Sequence, residues 1–190
     1  MHPAEHRVLR ELVAFAQQLE RHWRSLGERL GGEPGDLLLA GAAEAEEVRG
    51  ELEGAALRRG LAAGRAAETA GTVVSARPPA PDIALERNQA LRWALHDVDH
   101  CTVGLRYAAR LAAVRHDDAL RALLDGWAER LEHRAALVRE AALALAEDPD
   151  AAIAPADPSG PGRAGHKVAT TLGAVGEWLD RQAAHRRGEL

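Results

Sequence analysis

The chain has 190 residues and a formal net charge of −5, and alanine and leucine together supply 67 of its residues. Isoleucine occurs twice and aromatic residues make up 3%, so the composition excludes an all-β fold or a sizeable parallel sheet and favours helix. The single cysteine, Cys101, excludes an internal disulfide and any metal site built from several cysteines. The excess of acidic residues argues against a broad nucleic-acid surface.

Hydropathy points to a soluble protein. The first residues, beginning Met1-His2-Pro3, lack the apolar run of a signal peptide. No stretch approaches the ~20 consecutive apolar residues that a membrane span needs. We therefore expect a cytoplasmic protein that has no membrane and no nucleic acid among its partners.

The first predicted helix runs from about Pro3 to Leu30, and proline suits its first position because that N–H would have no partner in any case. Glycines and a proline within residues 31–35 end it. Asp36 is the expected N-cap of a second helix that continues to about Ala70. Apolar residues recur every three or four positions along the first helix: Val8, Leu12, Phe15, Leu19, Trp23, Leu26 and Leu30.

Residues 71–82 form a predicted linker that three prolines hold extended. Twelve such residues span roughly 37 Å, whereas antiparallel neighbours in a bundle need only about two to eight connecting residues. The length favours a crossover along the bundle, which makes the second and third helices parallel. A loose loop between antiparallel helices is the alternative.

Two further long helices follow the linker. The third is expected from about Ile83, capped by Asp82, to Arg115. The fourth is expected from about Asp118 to Glu147, with Asp117 or Asp118 as its N-cap. Only a short break separates them, so they should form an antiparallel pair.

The C-terminal part is expected to contain a Pro/Gly-rich loop over residues 148–165 and a shorter helix over 166–190. The apolar stripe of that helix is Val168, Leu172, Val175 and Leu179. We expect it to dock on the bundle formed by residues 1–147, giving a single domain.

Four long helices joined by short, long and short connections predict an all-α, four-helix bundle. Over residues 3–147 this arrangement resembles the ferritin-like superfamily. Members that bind two irons place a Glu on each of two helices and a Glu-x-x-His pair on each of the others. Here the third helix offers Asp97 and His100 at that spacing. On the fourth helix, Glu129 and His133 fall opposite the apolar face, so a complete di-iron cage is not expected.

A smaller metal site is one interpretation of the remaining acidic residues. Glu44, Glu47 and Glu51 follow one side of the second helix. If they met Asp97 and His100 across the bundle, their oxygens and one nitrogen could hold Fe or Mn. The alternative is a solvated acidic flank paired with arginines.

The third helix carries two apolar stripes, so it is either central in the fold or covered by another subunit. The second stripe includes Trp93, Tyr107 and Leu111 together with Asp97 and His100. We predict a homo-oligomer that buries Trp93, Tyr107 and Leu111. His22, beside the stripe of the first helix, is expected to be a hydrogen-bonded boundary residue, and Cys101 a small buried apolar group.

Three functional hypotheses follow. The first is a non-catalytic helical-bundle protein that acts through self-association or partner binding. The second is a metal-binding oxidoreductase or iron-handling protein that uses the carboxylate and His residues named above with Fe or Mn. The third is a bundle whose pocket binds an apolar small molecule.

Overall fold

A computed structural model describes residues 2–61 and 84–187. These residues are almost wholly helical and contain no β-strand, as the composition predicts. Four long helices share one apolar core, and a short helix and a further long helix follow them. The elements are α1 (Pro3–Leu30), α2 (Gly32–Arg58), α3 (Arg87–Val114), α4 (Asp118–Ala144), a 3-10 turn (Leu145–Glu147), α5 (Pro149–Ile153) and α6 (Gly160–Arg187).

Helix α1 has the predicted bounds. Its N-terminus is closed by a capping box in which His2 Nδ1 accepts from the backbone N–H of Ala4 at 3.1 Å. Glu5 completes the box by accepting from the backbone N–H of His2 at 2.7 Å. The predicted stripe is the α1 side of the core, with only Phe15 half-buried and the rest buried.

Helix α2 begins four residues before the predicted cap Asp36, because Gly31 alone joins it to α1. Gly31 and Gly32 have φ of 57° and 60°, a backbone region that glycine adopts without strain. The two helices then cross closely. A Cβ added at Gly35 would lie 2.6 Å from the carbonyl oxygen of Gly27, so the contact requires glycine.

Helix α2 also ends earlier than the predicted Ala70. Gly60 has φ of 74°, its N–H donates to the carbonyl of Leu57, and Leu61 N–H donates to that of Ala56, each at 3.0 Å. This is a Schellman motif, which stops a helix by satisfying its last carbonyls. The predicted linker 71–82 lies outside the described residues.

Helix α3 starts at Arg87 and not at Ile83, and the expected cap Asp82 lies outside the described residues. Glu86 is the N-cap, and its backbone N–H donates to Gln89 Oε1 at 3.2 Å. The residues just before the helix pair instead with the segment after α5. Ala156 N–H donates to the carbonyl of Leu85 at 2.8 Å, and Arg87 N–H donates to that of Ala154 at 2.9 Å.

Helix α4 begins at Asp118 as predicted, with Asp117 as the cap that accepts from Leu120 N–H at 3.0 Å. It ends at Ala144, and a 3-10 turn completes the predicted range to Glu147. Residues 148–165 are not a plain loop, because they contain α5 and the first six residues of α6.

Contacts between helices fix their directions. Phe15 of α1 packs on His100 of α3, whereas Trp23, further along α1, bonds to Ala94, which comes earlier in α3. Helices α1 and α3 are therefore antiparallel. Helix α1 is antiparallel to α2 as well, because a single residue joins them. Helices α2 and α3 therefore run in the same direction, as the predicted crossover requires, although its path lies outside the described residues.

The four helices form a closed cycle of neighbours. Helices α2 and α3 each pack against α1 and against α4, so α2 and α3 face each other diagonally. Trp23 holds three helices together at the centre. Its ring lies where a side chain at Gly41 of α2 would be, and its Nε1 donates to the carbonyl of Ala94 of α3 at 3.1 Å.

Candidate functional site

The three predicted ligands of α2, Glu44, Glu47 and Glu51, face α4, where they pair with arginine or indole groups. Glu44 accepts two hydrogen bonds from Arg134, at 3.2 and 2.6 Å, and these bonds raise the pKa of Arg134 above its ordinary value. Glu47 pairs with Arg130 at 3.2 Å. Glu51 accepts from Trp127 Nε1 at 2.7 Å.

Asp97 and His100 of α3 face α1. Asp97 is hydrogen-bonded to His22, and both side chains are nearly buried. This confirms the prediction that His22 is a hydrogen-bonded boundary residue. His100 packs edge-on against the ring of Phe15, with centroids 4.3 Å apart. The other oxygen of Asp97 lies 3.9 Å from Nδ1 of the exposed His96.

The structure does not bring the two predicted ligand sets together. The Glu44 set lies at the α2–α4 contact, whereas Asp97 and His100 lie at the α1–α3 contact. The physical reason is helical phase: each set is turned toward a different neighbouring helix and has partners there, whereas metal ligands must converge on one point. Within residues 2–61 and 84–187, no group of three or more His, Cys, Asp or Glu side chains is placed to hold a metal ion.

Other ionisable candidates lie where their helical phase predicts. Glu129 and His133 are exposed on α4. Cys101 is fully buried, and burial raises the pKa of its thiol to about 12. Since the side chain is also inaccessible to solvent and packs within the apolar core, Cys101 acts as a core residue.

The second apolar stripe of α3 has a partner within the chain. Its members Asp97, His100 and Gly104 face α1, so this part of the stripe is covered within the chain. Leu111 is half-buried against the core. Trp93 and Tyr107 lie at the edge of the stripe with 38% and 52% of their surface exposed. We call Trp93, Tyr107 and the exposed Val103 and Val114 the α3 patch.

Helix α6 presents the larger apolar surface. Its predicted stripe, Val168, Leu172, Val175 and Leu179, is 50–67% exposed, and we call these four residues the α6 stripe. Trp178, which the stripe pattern does not include, lies beside it and is 56% exposed. Gly162 is the one buried residue of the helix. The expected docking of residues 166–190 is therefore not seen for the described part of this segment.

Comparisons with protein-family models, with curated proteins and with solved structures gave no match. Among the described helices, none has the length and apolar character that crossing a membrane would require. The most distinctive surface of the described chain is the α6 stripe.

Proposed function

We propose that this protein is a non-catalytic four-helix bundle of the ferritin-like type that acts by self-association. The observation that carries the proposal is the α6 stripe, a row of four large apolar side chains that are half or more exposed on one helix face. Contiguous apolar surface of this kind marks sites of association, because its burial is favourable and its exposure is not.

The ferritin-like assignment is supported by the order and direction of α1 to α4. Two antiparallel pairs lie side by side, and α2 and α3 are parallel, an arrangement that requires one long crossover. The chain departs from the metal-binding members at the centre, where the fully buried Trp23 fills the space between helices.

The ionisable residues that could have supported a reaction have structural partners instead. Arginines of α4 neutralise Glu44 and Glu47, and Trp127 donates to Glu51. His22 holds Asp97 across the α1–α3 contact. These pairs favour an association protein over the metal-dependent alternative.

Sedimentation velocity of the full chain from about 1 to 500 µM tests the proposal over the range in which modest interfaces form. We expect a dimer or larger species to replace the monomer as concentration rises. A monomer throughout that range contradicts the proposal. Metal analysis of the same protein, purified without a His-tag, provides a second test. Stoichiometric Fe or Mn would favour the metal-binding alternative.

A further inference from the structure

We infer that two copies associate through their α6 helices, which pack along the α6 stripe as a parallel pair. The inference rests on the proposed self-association and names the surface and the partner, a second copy of this chain. Three features of α6 carry it: the spacing of the stripe, the sizes of the residues on its two flanks and the distribution of charge.

The stripe has the spacing of a two-helix seam. Its members are separated by four, three and four residues, which is the alternation of the a and d positions of a heptad repeat. Leu172 and Leu179 take the a positions, and Val168 and Val175 take the d positions. Gln182 occupies the next d position and extends the seam by one polar residue.

The flanks of the seam differ in size. The flank that corresponds to the g positions carries Thr171 and Trp178, whereas the e positions carry only Ala169, Gly176 and Ala183. In a parallel pair each g position meets an e position of the partner, so the large residues pack on the small ones. In an antiparallel pair like flanks meet, which crowds one side and leaves the other unfilled. The flanks therefore favour the parallel arrangement.

Gln182 adds a second argument for the parallel direction. In a parallel pair the two Gln182 side chains lie at the same level and can hydrogen-bond to each other, because an amide both donates and accepts. A single polar residue in an apolar seam fixes register and direction in this way. An antiparallel pair centred on the stripe would instead place Gln182 opposite Gly165, which has no side chain to receive it.

Charge does not oppose the pairing. Over the stripe, Lys167 and Arg181 balance Glu177 and Asp180. Glu177 and Arg181 already pair within the helix at 3.7 Å. All four charges lie away from the seam, so over the stripe two copies can approach without bringing like charges together. The next a position is Arg186, near the end of the helix, where the long side chains can extend into solvent.

The available area fits a concentration-dependent dimer. From the exposed fractions, the α6 stripe and Trp178 offer on the order of 500 Å² per copy, or about 1,000 Å² in total, the lower limit for a specific interface. A seam of two heptads is short for a coiled coil. We therefore expect a reversible association.

A matched pair of variants tests the surface. Leu172→Glu places a charge in the seam, and Thr170→Glu places the same charge on the opposite side of the helix. Leu172 is 67% exposed, so the folded monomer tolerates its replacement, which circular dichroism can verify. Sedimentation velocity should show at least a tenfold weaker dimer for Leu172→Glu. It should show the wild-type dimer for Thr170→Glu.

Disulfide trapping tests the direction, and the buried Cys101 does not interfere. In a parallel pair, Gln182→Cys cross-links with itself on oxidation, because the two sulfurs lie side by side. In an antiparallel pair these positions are about 25 Å apart. An antiparallel pair should instead form a mixed disulfide when Val168→Cys chains are combined with Leu179→Cys chains. In a parallel pair these two positions lie about 16 Å apart, too far for a disulfide.

The outcomes distinguish this inference from the proposed function. A dimer that survives Leu172→Glu overturns the α6 pairing but leaves self-association standing, with the α3 patch as its surface. Mixed disulfides without Gln182→Cys cross-links overturn the parallel direction. A wild-type chain that stays monomeric but co-sediments with vesicles of phosphatidylglycerol overturns both proposals, and assigns the α6 stripe to an anionic lipid surface.

Discussion

Trp23 depends on a neighbour that has no side chain. The ring occupies the space beside Gly41, while its indole N–H bonds to a carbonyl of a third helix. A buried indole needs such an acceptor, because an unsatisfied N–H in the core costs about 1–3 kcal/mol. One residue thereby joins α1, α2 and α3.

Asp117 gives a prediction about pH. Its pKa is lowered from 3.8, mainly by the hydrogen bond from Arg59 and then by the backbone N–H of Leu120. A lowered folded-state pKa means that the stabilisation is present above the unfolded-state value and is lost as the pH falls through the folded-state value. Asp117→Asn keeps a cap acceptor but loses the charge. Denaturant unfolding at pH 7 should show a loss of about 1 kcal/mol or less, since the pair is partly exposed.

The difference between wild type and Asp117→Asn should shrink as the pH is lowered below about 4. Asp118→Asn, a change at the exposed neighbouring position in the same helical turn, serves as the control. Equal stability changes for the two variants at every pH would show that the Arg59 pair contributes nothing.

At the scale of elements, the ends of α2 are set by glycines with positive φ, whereas its interior tolerates glycine. Gly31 and Gly32 turn the chain out of α1, and Gly60 stops the helix at the far end. Gly50 lies in the exposed interior, where nothing surrounds the place of a Cβ. The same residue type therefore has opposite consequences at the two kinds of position.

Two alanine substitutions in α2 should change stability in opposite directions. Gly60→Ala forces a Cβ into a left-handed conformation and should lower the free energy of unfolding by about 1–2 kcal/mol. Gly50→Ala should raise it by up to about 1 kcal/mol, because alanine is the better helix former. Thermal and denaturant unfolding measure both. A stabilising Gly60→Ala would be incompatible with the Schellman end.

At the scale of the whole molecule, the parallel direction of α2 and α3 fixes where these helices and their ends lie in the bundle. It places these helices on a diagonal between α1 and α4, and the helical phase of each turns Glu44 toward α4 and Asp97 toward α1. It also places the end of α2 and the start of α3 at opposite ends of the helices, about 40 Å apart. The Arg59–Asp117 pair at one end and the Arg87 contact with the carbonyl of Leu30 at the other mark these two ends.

Linker length tests this topology. Replacing residues 62–83 with a Gly/Ser segment of the same length should leave a folded monomer at low concentration, because such a segment can span the distance. A segment of about six residues reaches no more than about 25 Å and should abolish the folded monomer. Circular dichroism and sedimentation at low micromolar concentration report the result. A stable monomer with the short segment would require α2 and α3 to be antiparallel.

The sequence by itself determined the helical class, the bounds of α1, the start of α4, the buried Cys101 and the outward phase of Glu129 and His133. These follow from periodicity and capping, which act within one helix. It also located the α6 stripe. Only the tertiary structure decided that Gly60 stops α2, that Ala154 and Ala156 bond to the start of α3, and that Glu44 and Asp97 face different helices. Those outcomes depend on which helices become neighbours and on backbone conformations that a glycine permits but does not require.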